Sequence, residues 1–280
     1  MGTGLGNLLF PWARSVVASK KYGFKKIEPT WPQVKLGPVL RKEADFRFYN
    51  DLFLTPGESI NGIKKILILT TKKKFNEAVI WNRPETLNKL EDGIFIFNGF
   101  RDYFKDISQD YQLVRRELLD ITRDVHKTGL KYNFDNCVCL HIRRGDFKIE
   151  GWETSVKWFL WIMDEFKKEI SPDLNLKIFS DGSDEELSAI LKQKNTERLF
   201  FGSAVADLLA MSQSRVLVGS SNSTFSMWAS YLGRMPTIWP GKNLFQSEHY
   251  ENPDFVEVSY GKNIPPAFIT SCKKNLLQKK

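Results

Sequence analysis

Three observations predict an α/β fold with parallel sheets for this chain. From residue 136 onward, short apolar runs alternate with amphipathic stretches, as strands alternate with crossover helices. These runs end in polar clusters, Arg143-Arg144, Asp181 and Ser221 to Thr224, which a parallel sheet would gather in one crevice beyond its strand ends. The length of 280 residues, 42% hydrophobic and 13% aromatic, suffices for two domains of roughly 130 residues each. The predicted division is an N-terminal domain over 1–135, a C-terminal domain over 136–262 and a basic tail over 263–280.

Taken in order, the chain opens on a glycine-rich loop, Gly2-Thr3-Gly4-Leu5-Gly6-Asn7, followed by a predicted helix over 8–21 carrying Leu8, Leu9, Trp12, Ala13 and Val16 at helical spacing. A strand is expected before such a loop, and the chain begins at the loop itself. Residues 28–62, rich in proline and glycine, predict loops. Ile66 to Thr70 and Ile94 to Asn98 read as buried strands, and 108–126 as an amphipathic helix with Tyr111, Val114, Leu118, Ile121 and Val125 on one face. The regular half then offers strands at 137–142, 176–180, 199–202, 215–219 and 236–239. Helices are expected at 156–169, 184–192, 206–212 and 225–232, with Ser183 capping the second of these before an acidic first turn.

Composition narrows the function. No run approaches the ~20 apolar residues of a membrane span. Leu8-Leu9-Phe10 is broken at once by Pro11 and Arg14, unlike a secretion signal, so a cytoplasmic location is expected. Cys137 and Cys139 sit too close along one strand for an ordinary disulfide, Cys272 stands alone, and no second ligand pair completes a zinc site. The net charge of +8 comes from scattered lysines such as Lys72-Lys73-Lys74 and the tail Lys273 to Lys280, without zinc-finger or RNA-binding signatures. No nucleic-acid partner is therefore expected. The charge also suits an anionic substrate or a peripheral contact with a membrane surface.

The chemistry concentrates in His141-Ile142-Arg143-Arg144-Gly145-Asp146-Phe147. A guanidinium at a strand's C-terminal mouth matches phosphate oxygens in a bidentate fork, so Arg143 is assigned to a diphosphate. Arg144 is expected to brace the loop against Asp146, and His141 to face the same way as Arg143. Ser221 to Thr224, at a helix start, forms a second phosphate cradle or, more plainly, a serine-rich cap. Asp207 could accept two adjacent guanine N–H groups, or simply favour the start of its helix.

These motifs, in this order, resemble glycosyltransferase family 11, the α-1,2-fucosyltransferases, relatives of the α-1,6- and protein-O-fucosyltransferases. Gly4 to Phe10 resembles the family's Gly-Leu-Gly-Asn-Gln-Met-Phe, and His141 to Asp146 its His-x-Arg-Arg-Gly-Asp hallmark. Phe179-Ser180-Asp181, Asp207 to Ser212 and Asn222 to Ala229 follow at suitable spacings. The chain departs from the pattern at Leu8, Leu9, Pro11, Gly182 and Met227. The resemblance implies a GT-B-type fold of two Rossmann-like domains facing a cleft, a GDP-fucose donor substrate, no metal and no other cofactor. It implies catalytic roles for Arg143, Asn7 and Asp146. Donor contacts would come from His141, Arg144, Asp181, Asp207, Asn222, Ser223 and Thr224, with Gly4 and Gly6 in the opening loop. His141 and Asp207 would take the guanine, Arg143 the β-phosphate, and Ser223 and Thr224 the phosphates. As bases, Asp146, Asp181 and His141 are the candidates. The acceptor would be a glycan or a lipid-linked oligosaccharide, met by residues around 30–60 and 98–104, with inversion and an α-1,2 linkage. The competing readings are a transferase of the same fold for another nucleotide sugar, and a basic membrane- or nucleic-acid-binding protein without catalysis.

Overall fold

A computed structural model describes residues 4–29, 31, 49–55, 57, 59–241 and 254–277, apart from a few side chains that include Asp146. The chain forms two compact units, Met1–Arg123 and Asp124–Lys280. The division thus falls at 123/124, upstream of the expected 135/136, because Asp124–His126 and Thr128–Lys131 already pack as 3-10 turns of the second unit.

In the N-terminal unit α1 (Leu5–Tyr22) starts earlier than its apolar periodicity suggests, with Gly4 as cap, so Gly6 and Asn7 lie in a helical turn and not in a loop. Gly23, at φ 71°, ends the helix in the left-handed conformation, after Lys20 and Lys21 in the last turn. α2 (Gly62–Thr71) replaces the strand expected at 66–70. A short apolar run fits either period, and here Lys65 N bonds Asn61 O at 3.1 Å and Lys72 N bonds Ile68 O at 3.0 Å. β1 (Lys73–Asn76) pairs in parallel with β2 (Gly93–Ile96), with α3 (Ala78–Asn82) between them. α4 (Tyr111–Ile121) buries Val114, Leu118 and Ile121. Val125 lies beyond the helix end and is exposed, since Arg123 N already turns to Leu52 O at 3.0 Å.

The C-terminal unit is built on six parallel strands: β3 (Cys137–Ile142), β4 (Asn175–Ser180), β5 (Thr196–Arg198), β6 (Val216–Val218), β7 (Thr237–Pro240) and β8 (Phe255–Val258). Their order is β5-β4-β3-β6-β7-β8, the doubly wound arrangement in which the chain runs outward from β3 and then returns to its other side. Register sets Ile142 beside Ser180 and Leu140 beside Val218, so the mouths of β3, β4 and β6 lie level. The edge strand β5 precedes the expected 199–202, because its bonding to β4 begins with Leu176 N on Asn195 O at 2.8 Å and ends with Leu199 N on Ile178 O at 2.9 Å. Phe200, expected within the strand, is consequently exposed.

Helices cover the sheet: α5 (Gly145–Glu150), α6 (Val156–Glu169), α7 (Asp184–Leu191), α8 (Ala204–Met211), α9 (Thr224–Gly233) and α10 (Pro266–Leu277). α7 opens on a complete capping box between Ser183 and Glu186. α6 buries Trp158, Phe159, Ile162, Met163 and Phe166, and the Trp158 indole N–H bonds Val258 O at 2.9 Å. The expected basic tail is instead largely a packed helix: α10 adds Phe268, Ile269, Cys272 and Leu276 to the same core, its lysines lying outward.

Candidate nucleotide-sugar site

The reversal point between β3 and β6 is where an open parallel sheet binds ligands, and two serine hydroxyls, one of them buried, fix it. Ser220, fully buried after β6, donates to His141 O at 2.8 Å and accepts from Arg143 N at 2.8 Å. Ser180, ending β4, donates to Ile142 O at 2.6 Å and accepts from Gly182 N at 3.0 Å. Three neighbouring strand mouths are thereby joined without using a charge.

Asp181 completes the clamp. One carboxylate oxygen accepts from Arg144 N at 2.7 Å, while the other pairs with the Arg143 guanidinium. That approach needs Gly145, since a Cβ there would stand 2.5 Å from Oδ2 of Asp181. With both oxygens engaged, Asp181 anchors the loop here. The Arg143 side chain keeps 24% of its surface in solvent and lies over the Phe147 ring at 5.6 Å. It is the charged group of this mouth that can turn to an anion.

Arg144 is buried and, among the described side chains, braces the loop against two glutamates. Its Nη1 pairs with Glu153 at 3.0 Å, and Glu186 stands 3.9 Å from its Nε. Gly182 makes room for it, as a Cβ there would meet Arg144 Cγ at 2.7 Å. The glycine at the position where the family pattern carries a second aspartate is thus tied to Arg144's packing. Asp146 lies in α5, and its side chain is outside the described residues.

His141 is buried beside Ser223, whose hydroxyl lies 3.4 Å from Nδ1, and its ring sits 5.2 Å from that of Phe225. Burial first, and then the Arg143 charge, push the imidazole down to about 3. It is a neutral hydrogen-bonding group near pH 7 and a weak base. Ser223 caps α9, accepting from Ser226 N at 3.5 Å. Asn222 holds φ 55°, a left-handed turn that asparagine tolerates, and Ser221 N is fixed by the Thr154 hydroxyl at 2.9 Å. Thr224 opens the helix itself, so its first-turn N–H groups and dipole favour an anion at this mouth.

Asp207 lies in the first turn of α8, which packs against α9, and accepts from Phe201 N at 2.7 Å. Burial pushes its carboxyl up to about 7. Gly4, Gly6 and Asn7 belong to the N-terminal unit. Ser180, Ser220, Glu153 and Thr154 are members that sequence reasoning missed. Ser220 left a signal as the first hydroxyl of the run 220–224, and Ser180 as the middle residue of Phe179-Ser180-Asp181, though neither was given a role. Among the described residues no group of three or more His, Cys, Asp or Glu side chains converges to hold a metal ion.

The N-terminal unit carries a cavity of about 370 Å³ lined by Trp12, Trp31 and Phe53 together with Glu28 and the Lys26–Glu117 pair, 2.8 Å apart. Most of the 30–60 segment expected to meet an acceptor lies outside the described residues. The 98–104 loop is held from below: Arg14, completely buried, donates to Asn98 O at 2.9 Å, Gly99 O at 2.9 Å and Phe100 O at 3.1 Å. Its Nε also bonds Glu77 at 2.7 Å.

A doubly wound parallel sheet with a guanidinium and a helix N-terminus at its reversal point defines a Rossmann-type unit. In fold the chain is similar to the NodZ alpha-1,6-fucosyltransferase soaked with GDP-fucose, with a TM-score of 0.52 at 13% identity over 86% of this chain and 93% of that one. The fucosyltransferase NodZ from Bradyrhizobium aligns with a TM-score of 0.52 at 12% identity, over 84% and 92% of the two chains. POFUT1 in complex with GDP-fucose gives 0.49 at 12% identity, over 86% and 95%. The architecture is of the α/β, GT-B type, its N-terminal parallel pairing reduced to two strands among the described residues. No curated protein matches the chain by sequence. Residues 84–255, more than half of the chain, match the sequence profile of Glycosyl transferase family 11, and the chain belongs to that family.

Proposed function

We propose that this glycosyltransferase moves fucose from GDP-fucose to a glycan hydroxyl, with inversion at the anomeric carbon and an α-1,2 linkage, and without a metal. The observation that carries this reading is the β3–β6 mouth, where Arg143 and the α9 N-terminus stand together while uncharged hydroxyls hold the backbone.

As the bond from the sugar to the β-phosphate breaks, negative charge grows on the departing oxygen and positive character on the sugar. Arg143 exchanges its Asp181 contact for the β-phosphate, and the first-turn N–H groups of α9 share the charge. Ser223 and Thr224 add hydroxyls to the phosphates. Neutral His141 and the Asp207 carboxylate address the guanine, whose adjacent N–H donors one carboxylate can accept together. The acceptor oxygen bonds to the anomeric carbon from the face opposite the departing diphosphate, and its proton passes to solvent. With a loose, cation-like sugar no strong base is needed, in keeping with the weak basicity of His141. The mixed aromatic and charged lining of the N-terminal cavity supports a glycan as acceptor.

The test is release of GDP from GDP-fucose in EDTA, without acceptor, alongside thermal shifts with GDP, UDP, ADP and CMP. Stabilisation by GDP and slow hydrolysis are expected. Stabilisation by UDP alone, or an absolute requirement for a divalent ion, sinks the reading. Linkage is checked by transfer to acceptors with and without a blocked 2-hydroxyl.

A further inference from the structure

α2 of the N-terminal unit is turned inside out. Ile63, Ile66 and Leu67, at helical spacing i, i+3 and i+4, are 86%, 63% and 58% exposed, while Ile68 and Leu69 on the other side are only half-buried. Three large aliphatics in one stripe form a patch and not scattered exposure. The surrounding charge has a single sign: from Ile60 to Asn76 the sequence holds Lys64, Lys65, Lys72, Lys73 and Lys74 and no acidic residue. Lys72 and Lys73 reach across to exposed Asp92 and Glu91, surface pairs that exchange easily for other anions. Lys64 and Lys74 form no ion pair with the described residues.

We infer that α2 is a docking face for an anionic lipid bilayer, its aliphatic stripe entering the headgroup boundary and its lysines meeting lipid phosphates. An apolar stripe flanked by lysines has the chemistry of a helix lying in a membrane interface, where burial of the stripe and attraction to anionic lipid add together. A second copy of the chain fits less well. It would bring the same lysines against these, and three side chains fall far short of the ~800 Å² that each partner buries in a stable dimer. A nucleic acid would satisfy the lysines but leave the aliphatics in water. The inference does not depend on which sugar is transferred.

The experiment is co-sedimentation of the whole chain, without donor or acceptor, with vesicles of phosphatidylcholine alone or mixed with phosphatidylglycerol. Binding to the mixed vesicles, weakened by salt, is expected, together with little binding to the neutral ones. The double substitution Ile66→Glu and Leu67→Glu should lower the bound fraction by about tenfold or more with an unchanged thermal midpoint, because both side chains are already in water. Ile63→Ser, at the most exposed position, serves as a milder variant with the same direction. Neutralising Lys72, Lys73 and Lys74 to Gln should weaken binding and reduce its salt dependence. Undiminished vesicle binding by the double variant overturns the proposal, as does equal binding to neutral vesicles. It is also overturned by a concentration-dependent dimer that Leu67→Glu abolishes, or by salt-sensitive oligonucleotide binding in the absence of vesicle binding.

Discussion

Both units must hold a loop backbone in place, and they do it with opposite chemistry. The C-terminal unit ties its strand mouths with the hydroxyls of Ser220 and Ser180 and with one oxygen of Asp181, all on backbone groups. This leaves the Arg143 guanidinium partly exposed and paired through its side chain to Asp181's other oxygen. The N-terminal unit uses a guanidinium: Arg14 spends its donors on Glu77 and on three carbonyls of the 98–100 loop and reaches no solvent. A buried cation whose donors are spent on the fold holds structure, whereas a partly exposed cation beside independently anchored backbone is placed to serve a ligand. Arg14 and Arg143 are therefore expected to fail differently when removed.

The largest effect should come from Arg14→Met. It leaves the Glu77 carboxylate buried among Asn98 N at 3.1 Å and the Trp81 indole N–H at 3.2 Å, without its countercharge. Breaking one side of a buried pair costs about 3–5 kcal/mol, enough to unfold many single domains, and urea unfolding should show an early transition. A loss below ~1 kcal/mol would mean that Arg14 is not the anchor of this unit. Arg143→Ala should do the reverse, leaving the urea midpoint nearly unchanged and slowing transfer by about a hundred- to a thousandfold. Arg143→Lys should recover only part of that, since an ammonium keeps the charge but not the fork. Near wild-type transfer by Arg143→Ala would remove the basis of the mechanism.

Between these extremes stands Ser220→Ala. It strands His141 O and Arg143 N in the interior, at a cost of about 1–3 kcal/mol, and loosens the mouth that positions Arg143. Stability and transfer should therefore fall together, unlike with either arginine. Gly219→Ala tests the same strand end by sterics: a Cβ would meet the buried Trp239 Nε1 at 2.4 Å, and overpacking of this kind costs about 1–3 kcal/mol.

The contrast also explains what could be read in the residues alone. β3, α6 and the cap at Ser183 were legible because each is written in a contiguous period or a local box. Arg143, Ser223 and Asp207 were legible because each lies at the end of such an element. Arg14 was not: its partner Glu77 is 63 residues away, and a lone arginine on an apolar helix face resembles a break in the pattern. α2 was misread because Ile66 to Leu69 suits a buried strand, and only its exposure shows that the run is not buried. Ser220 and Ser180 were passed over because a serine's worth here lies in carbonyls and amides of neighbouring strands, which no local pattern reports.

Asp207 gives the smallest and most discriminating effect, because protonation alone should switch it. Burial raises its carboxyl to about 7, above its ordinary value, so its ionisation is disfavoured in the fold. Its contribution to stability without ligand is fully present below the ordinary carboxylate range and is lost as pH rises through about 7. Guanine reverses that preference, since its paired N–H donors need the ionised carboxylate. Affinity for GDP should therefore fall by up to about tenfold per pH unit below 7 and level off above it. His141 contributes no slope near 7, having been pushed down to about 3. The β-phosphate of GDP can titrate near pH 6 by itself, so the measurement is repeated with guanosine, which carries no phosphate. A slope shared by GDP and guanosine and flattened in Asp207→Asn assigns the base contact to this carboxylate. A slope seen with GDP but absent with guanosine places the titration on the phosphate and removes Asp207 from base recognition.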